Sequence, residues 1–185
     1  MADISLPLPL AYSPVARALH WLTAALVLFM LPAGILMANV MPDGPGKDLL
    51  FHLHRSIGAL LLPIMVFRLS YRLTHPPAPL PADIPWVQRF AAENTHRLLY
   101  VLLIVQPLVG WVATSAYRAP VLVFWLFELP PIWPEDRAFS ERLFAAHRFI
   151  GIVIALLLCA HIAGALFHHF IRKDTVLLRM VRGWG

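Results

Sequence analysis

The sequence predicts an all-α integral membrane protein, a four-helix bundle. Three observations carry this. Hydrophobic residues make up 59% of the 185 and charged residues only 14%, with a mean hydropathy of +0.71, where soluble domains run at about 45–50% apolar and about 25% charged. The apolar residues form four continuous runs rather than alternating with period two, which excludes a transmembrane barrel. A hydrocarbon core about 30 Å thick takes about 20 apolar residues per helix, so a chain of this length holds a handful of spans and short connections.

The first span is expected at about 19–40, through LTAALVLFMLPAGILMANV, and the second at about 53–73, through IGALLLPIMVF. The third is expected at about 98–117 (LLYVLLIVQPLVGWVATSAY) and the fourth at about 147–170 (HRFIGIVIALLLCAHIAGALFHHF). Pro32, Pro63 and Pro107 fall inside spans, where neighbouring helices re-satisfy the freed carbonyls, so they predict kinks rather than ends. The Pro-rich stretch 75–85 (HPPAPLPADIP) predicts an extended connector. No second composition regime appears, so residues 1–185 are expected to form a single domain. The N-terminus lacks a basic stretch ahead of an apolar core and a small-residue cleavage site, so the first span is expected to be retained.

With four spans, both termini share a side with the 75–85 connector. That side holds nine Lys and Arg against four acids, and the other side six against six. The excess of Lys and Arg predicts that both termini are cytoplasmic. The net charge of +5 then suits anionic lipid headgroups, and no compact basic module points to nucleic acid. Cys159 is the single cysteine, which excludes an internal disulfide, Cys-based zinc sites and a Cys-ligated iron–sulfur cluster. No Asp or Glu lies within the four apolar cores, which disfavours an ion or proton transporter.

Nine histidines stand out in so apolar a chain, because an ionisable group at membrane depth is a functional-site hypothesis by default. Helical rise converts position into depth. His147 opens span four on the outer side, and His161, fourteen residues on, lies about 21 Å deeper on nearly the same helix face. His54 of span two matches His147 in depth. His20 of span one and His96 of span three both match His161, and spacing does not choose between them. Opposed imidazoles from facing helices at two levels are what two bis-His haem irons require. Zinc fits less well, since structural sites converge about four ligands on one point.

His54-Arg55-Ser56-Ile57-Gly58 and His147-Arg148-Phe149-Ile150-Gly151 repeat the pattern His-Arg-x-Ile-Gly, and Gly164 follows His161. A glycine one turn from a ligand is expected to admit a flat macrocycle. Arg55 and Arg148 are placed to pair with haem propionates. His52 faces away from His54, His75 is expected in solvent, and His168 and His169 suit a helix C-terminus. Trp21, Trp86 and Trp111 read as interfacial anchors. Trp125 and Trp133 suggest an outer loop lying on the membrane or capping the outer site.

The order His20-Trp21, His54-x-x-x-Gly58, His96, His147-x-x-x-Gly151, His161, His168-His169 and the tail Lys173-Asp174-x-x-Leu177-Leu178-Arg179-Met180 closely resembles the bacterial cytochrome b561 family, across about Tyr12 to Met180. The resemblance implies an inner-membrane, multi-pass bundle with two haem b groups per chain. It implies His20 and His161 as axial ligands of the inner haem, and His54 and His147 as those of the outer haem. It leaves His96, with Arg55 and Arg148, as a contact for a haem propionate or a substrate. Members of the family carry electrons between the ubiquinone pool and a second partner, and one branch is similar to a superoxide oxidase that passes the electron from superoxide to ubiquinone. An anionic substrate is helped by a positive surface; the outer side has no net charge, but Arg55, Arg148, Arg118 and Arg137 can form a local basic pocket. The alternative is a cytochrome b anchor subunit that wires a partner dehydrogenase or hydrogenase to quinone.

Overall fold

The computed structural model describes residues 12–76, 79 and 83–181. Residues 1–11, part of the stretch on which the expectation of a retained first span rests, and residues 77, 78 and 80–82 of the connector, lie outside them. The four long helices are α1 (Pro14–Asn39), α2 (Pro45–Thr74), α3 (Trp86–Tyr117) and α4 (Arg137–Phe167). A hairpin, β1 (Val121–Val123) and β2 (Phe127–Leu129), joins α3 to α4, and a π-helical turn (His168–Arg172) and a short α5 (Leu178–Val181) follow. Each long helix is apolar enough to cross a membrane, with α4 and the π-helical turn forming one span, Arg137–Arg172.

All four helices start before their apolar runs, because polar residues supply the first turns. Ser13 Oγ accepts from the Ala16 N–H ahead of Pro14, and Asp136 Oδ1 accepts from Phe139 N–H ten residues before the apolar run of α4 begins. Both are side-chain caps on donors the helix leaves free. The turn between α1 and α2 needs Gly44 at φ +149°, a backbone region closed to most side chains. Pro32, Pro63 and Pro107 lie within continuous helices, as expected.

Sequential helices pack against each other, α1 on α2, α2 on α3 and α3 on α4, in an up-and-down order. One end of the bundle carries the described ends of the chain (the terminal end) and the other carries the hairpin (the hairpin end). Burial is inverted relative to a soluble bundle. The buried core is narrow, with Val27, Leu61, Met65, Leu103 and Ile154 at mid-depth, while Ile35, Phe67 and Leu156 point outward at 60, 56 and 65% exposure. In lipid an exposed apolar side chain carries no penalty, so close packing is needed only along the axis.

At the hairpin end, Ser140 Oγ donates to Ala113 O and joins α4 to α3. β1 and β2 pair antiparallel, Val121 with Leu129 and Val123 with Phe127. The turn puts two aromatic residues at positive φ, Phe124 at 46° and Trp125 at 60°, where hairpins normally use Asn-Gly. Ser56, fully buried on α2, holds it: its hydroxyl accepts from Phe124 N–H at 2.9 Å and lies 3.3 Å from Leu122 O. The hairpin therefore sits against α2, with Trp125 beside His52.

At the terminal end α5 folds back across the bundle. Tyr12 N–H and Trp21 Nε1–H donate to Arg179 O and Met180 O, and Arg179 Nη1 donates to Pro79 O. Arg172 bridges Asp83 and Asp174.

Candidate functional site

A seven-residue spacing recurs on all four helices. α1 presents His20, Val27 and Gly34; α2 presents His54, Leu61 and Arg68; α3 presents His96, Leu103 and Gly110; α4 presents His147, Ile154 and His161. Seven residues are about two turns and about 10.5 Å of rise, so each trio lines one face of its helix. Antiparallel packing assembles three layers from them. The terminal layer holds His20, Arg68, His96 and His161, which touch one another. The middle layer is the apolar core of Val27, Leu61, Leu103 and Ile154. The hairpin layer holds Gly34, His54, Gly110 and His147, also in mutual contact.

Within these layers, the ring centres of His54 and His147 are 6.2 Å apart and those of His20 and His161 are 6.1 Å apart. A metal–imidazole bond is about 2.0–2.1 Å, and the bonded nitrogen lies about 1.1 Å from its ring centre, so imidazoles on opposite sides of one metal ion have centres about 6.3 Å apart. Both pairs fit an iron between them. The His96 and His161 centres are 5.0 Å apart, too close to admit one. The choice that spacing left open between His20 and His96 thus has a geometric counterpart. Among the described residues no three His, Cys, Asp or Glu side chains form a metal-binding group, and a macrocycle supplying its own equatorial nitrogens needs only two axial ligands.

Hydrogen bonds assign the ring protons. His147 Nδ1–H donates to Gln106 O at 3.1 Å, and His96 Nδ1–H donates to Ala92 O at 2.7 Å, so in the neutral ring each leaves Nε2 bare. A backbone partner on the second nitrogen is the usual way a ligating imidazole is oriented. His54 Nδ1 is buried without a hydrogen-bond partner. His20 is the exception. Arg68 Nη2 donates to its Nδ1 at 2.8 Å, which places the proton of the neutral ring on Nε2.

Three residues that sequence reading missed shape the hairpin layer. Gln106 reciprocates its bond from His147 by donating Nε2–H to His147 O at 2.9 Å. A Cβ built on Gly110 would stand 3.1 Å from His147 Cε1, and one on Gly34 would stand 3.5 Å from His54 Cε1. These glycines, on the neighbouring helices, let the rings lie against backbone. The glycines picked out by the repeat face elsewhere: Gly58 meets Met30 and Gly151 meets Gln106, while Gly164 has nothing within 4 Å. The seven-residue interval from His20 to Val27 to Gly34, and from His96 to Leu103 to Gly110, was the available signal.

Of the remaining sites, His52 stacks towards Trp125 and away from the His54 pair, and His75 stacks on Tyr71. His168 pairs with Asp174, and His169 packs on Phe170. Arg55 donates to Pro120 O, Arg118 pairs with Glu135, Arg137 lies over the Tyr117 ring, and Arg148 is exposed. These four guanidinium groups thus have separate partners, a backbone carbonyl for Arg55, a carboxylate for Arg118 and an aromatic ring for Arg137, while Arg148 is exposed.

Residues 11–183 match the family model for prokaryotic cytochrome b561. The chain is 33% identical to cytochrome b561 homolog 2 of Escherichia coli K12 over 94% of its length and 92% of that protein's. It is 30% identical to cytochrome b561 homolog 1 of the same organism, over 88 and 92%. It is also 26% identical to a probable superoxide oxidase CybB of Yersinia pestis, over 92 and 95%. With a family model spanning nearly all of it, and four apolar helices arranged around opposed histidines, this chain belongs to the prokaryotic cytochrome b561 family of membrane electron-transfer proteins.

Proposed function

We propose that this chain conducts electrons across the bacterial inner membrane through two haem b groups, one in each polar layer, and exchanges them with the ubiquinone pool. The observation that carries the reading is the pair of imidazole pairs with centres 6.1 and 6.2 Å apart, separated by an apolar layer. His54 and His147 are the proposed axial ligands in the hairpin layer, and His20 and His161 those in the terminal layer. Haem iron, when bound, supplies one-electron exchange between its ferrous and ferric states.

The protein's own residues do the rest. Gln106 fixes the orientation of the His147 ring, and Gly110 and Gly34 let the ligand rings sit close to backbone. The Val27, Leu61, Leu103 and Ile154 layer keeps water from between the two levels. His96 offers a bare Nε2 beside His161, as an acceptor for a substrate hydroxyl. Arg55 and Arg148, each next in sequence to a hairpin-layer histidine, are the cations this reading offers to propionates or to an anionic substrate. The terminal end is cytoplasmic in this reading, on the excess of Lys and Arg there. Oxidation of superoxide at the opposite, periplasmic face is the specific activity proposed, supported by likeness to the probable superoxide oxidase.

An optical spectrum with haem quantified per chain tests the wire. About two low-spin b haems per chain are expected, and His54→Ala and His161→Ala should each remove one; a colourless protein overturns the reading. Superoxide supplied to the purified protein should reduce ubiquinone. Inertness until a partner dehydrogenase or hydrogenase copurifies would instead make it an anchor subunit.

A further inference from the structure

The terminal layer differs from the hairpin layer in the two positions that do not supply axial ligands. In the hairpin layer these are Gly34 and Gly110, and in the terminal layer they are Arg68 and His96. Arg68 is a cation facing the bundle axis. Its guanidinium lies 5.1 Å from the centre of the Tyr100 ring, and Arg72, one turn on, reaches the same ring at 5.6 Å. Two guanidinium groups thus share one aromatic ring, and among the described residues no carboxylate pairs with either. Asp83 and Asp174 are held by Arg172, and Glu93 by Arg97. Arg17, on α1 one turn before His20, adds a buried Nη1 with no hydrogen-bond partner. Like charges gathered in a low-dielectric layer call for an anion.

The acceptor Arg68 now uses is His20 Nδ1, and that contact is incompatible with ligation. If His20 Nε2 binds iron, the ring proton moves to Nδ1, and two donors then face each other. Arg68 must exchange partners. A haem b brings two carboxylates of its own, and planar bidentate pairing with carboxylate is the interaction for which guanidinium is best shaped.

Resting on the proposal that His20 and His161 hold a haem, we infer that Arg68, supported by Arg72 and Tyr100, is the carboxylate clamp of the terminal-layer haem, and that it passes from His20 Nδ1 to a haem propionate when that haem binds. Arg68 is a positioning residue. In the free chain it keeps a buried imidazole hydrogen-bonded, and in the loaded one it neutralises a buried carboxylate.

The test uses purified holoprotein and its Arg68→Gln, Arg68→Lys and Arg72→Gln variants. Haem content, redox titrations at several pH values and the resonance Raman bending bands of the propionates are recorded for each. A propionate held by guanidinium stays ionised, so the terminal-layer midpoint should vary little with pH in the natural protein. In Arg68→Gln that midpoint should fall, become pH-dependent and be accompanied by a shifted propionate band, while the other haem is unchanged. Arg68→Lys should recover the midpoint but not the band, since it keeps the charge and loses the fork. Natural bands and an unaltered pH profile in Arg68→Gln overturn the clamp. If Arg68→Gln loses one haem, Arg68→Lys and Arg72→Gln are read instead, and unshifted bands in both overturn it. Absence of bis-His haem from the natural protein would count against the underlying ligation, and is seen in the first spectrum.

Discussion

Gly110 and His147 define how closely an imidazole ring is fitted in this bundle. A Cβ at position 110 would come to 3.1 Å from the imidazole, tighter than carbon atoms accept without movement. The ring cannot yield freely, because Gln106 O holds its Nδ1. Gly110→Ala should therefore tilt or displace His147, an overpacking of about 1–3 kcal/mol. It is expected to change the spectrum and midpoint of one haem only, read by low-temperature absorbance and redox titration. Gly34→Ala, at 3.5 Å from His54, makes an ordinary contact and should leave both haems near their natural state. Equal effects of the two would mean that the His147 ring is not seated on Gly110. These glycines were invisible to a search for a His and a Gly one turn apart, since the glycine that matters to each ring lies on another helix.

At the scale of elements, the four helices were legible from hydropathy, and the hairpin was not. VLVFWLFEL contains no Gly, Asn, Asp or Pro to announce a turn, and its apolar run reads as one stretch. The turn forms because α2 supplies what the local sequence lacks. Ser56 hydrogen-bonds the hairpin where β1 enters its tip, at Leu122 O and Phe124 N–H, and this holds Phe124 and Trp125 at positive φ against a penalty of about 1–2 kcal/mol per residue. Ser56→Ala leaves the Phe124 N–H and Leu122 O short of a partner in a buried place, a loss of about 1–3 kcal/mol. Faster hydrogen–deuterium exchange across 121–129, with α1 and α4 unaffected, is the expected outcome; protection equal to that of the natural protein would show that the strands hold themselves.

Across the whole molecule, the terminal end is closed by charges that bring distant segments together. Asp174 accepts from His168, Arg172 and Val176 N–H, and Arg172 also reaches Asp83 in the connector before α3. Burial acts to raise the Asp174 pKa, but these hydrogen bonds and charges outweigh it and hold the carboxyl below its ordinary value. A depressed carboxylate contributes stability above its unfolded-state pKa of about 3.9, and that contribution is lost as pH falls through the lower folded-state value. Asp174→Asn should thus lower the unfolding midpoint in detergent at pH 7, and the gap to the natural protein should close as the medium is brought below about pH 4. A gap that persists in acid would place the effect in packing rather than in the charge.

Membrane residence, the number of spans and the two histidine levels were determined by sequence alone. Hydropathy is summed along one chain, and a helix converts residue number directly into depth, so His54 with His147 and His20 or His96 with His161 follow from counting. Depth says nothing about direction around the bundle axis. That is set by how four helices pack, and only the tertiary structure brings His20 rather than His96 to an iron-sized distance from His161, turns Gly34 and Gly110 onto the rings of other helices, and lays Arg68 against His20. The seven-residue spacing was in the sequence throughout, but its meaning as three stacked layers needed the antiparallel alignment of all four helices, which no single run of residues contains.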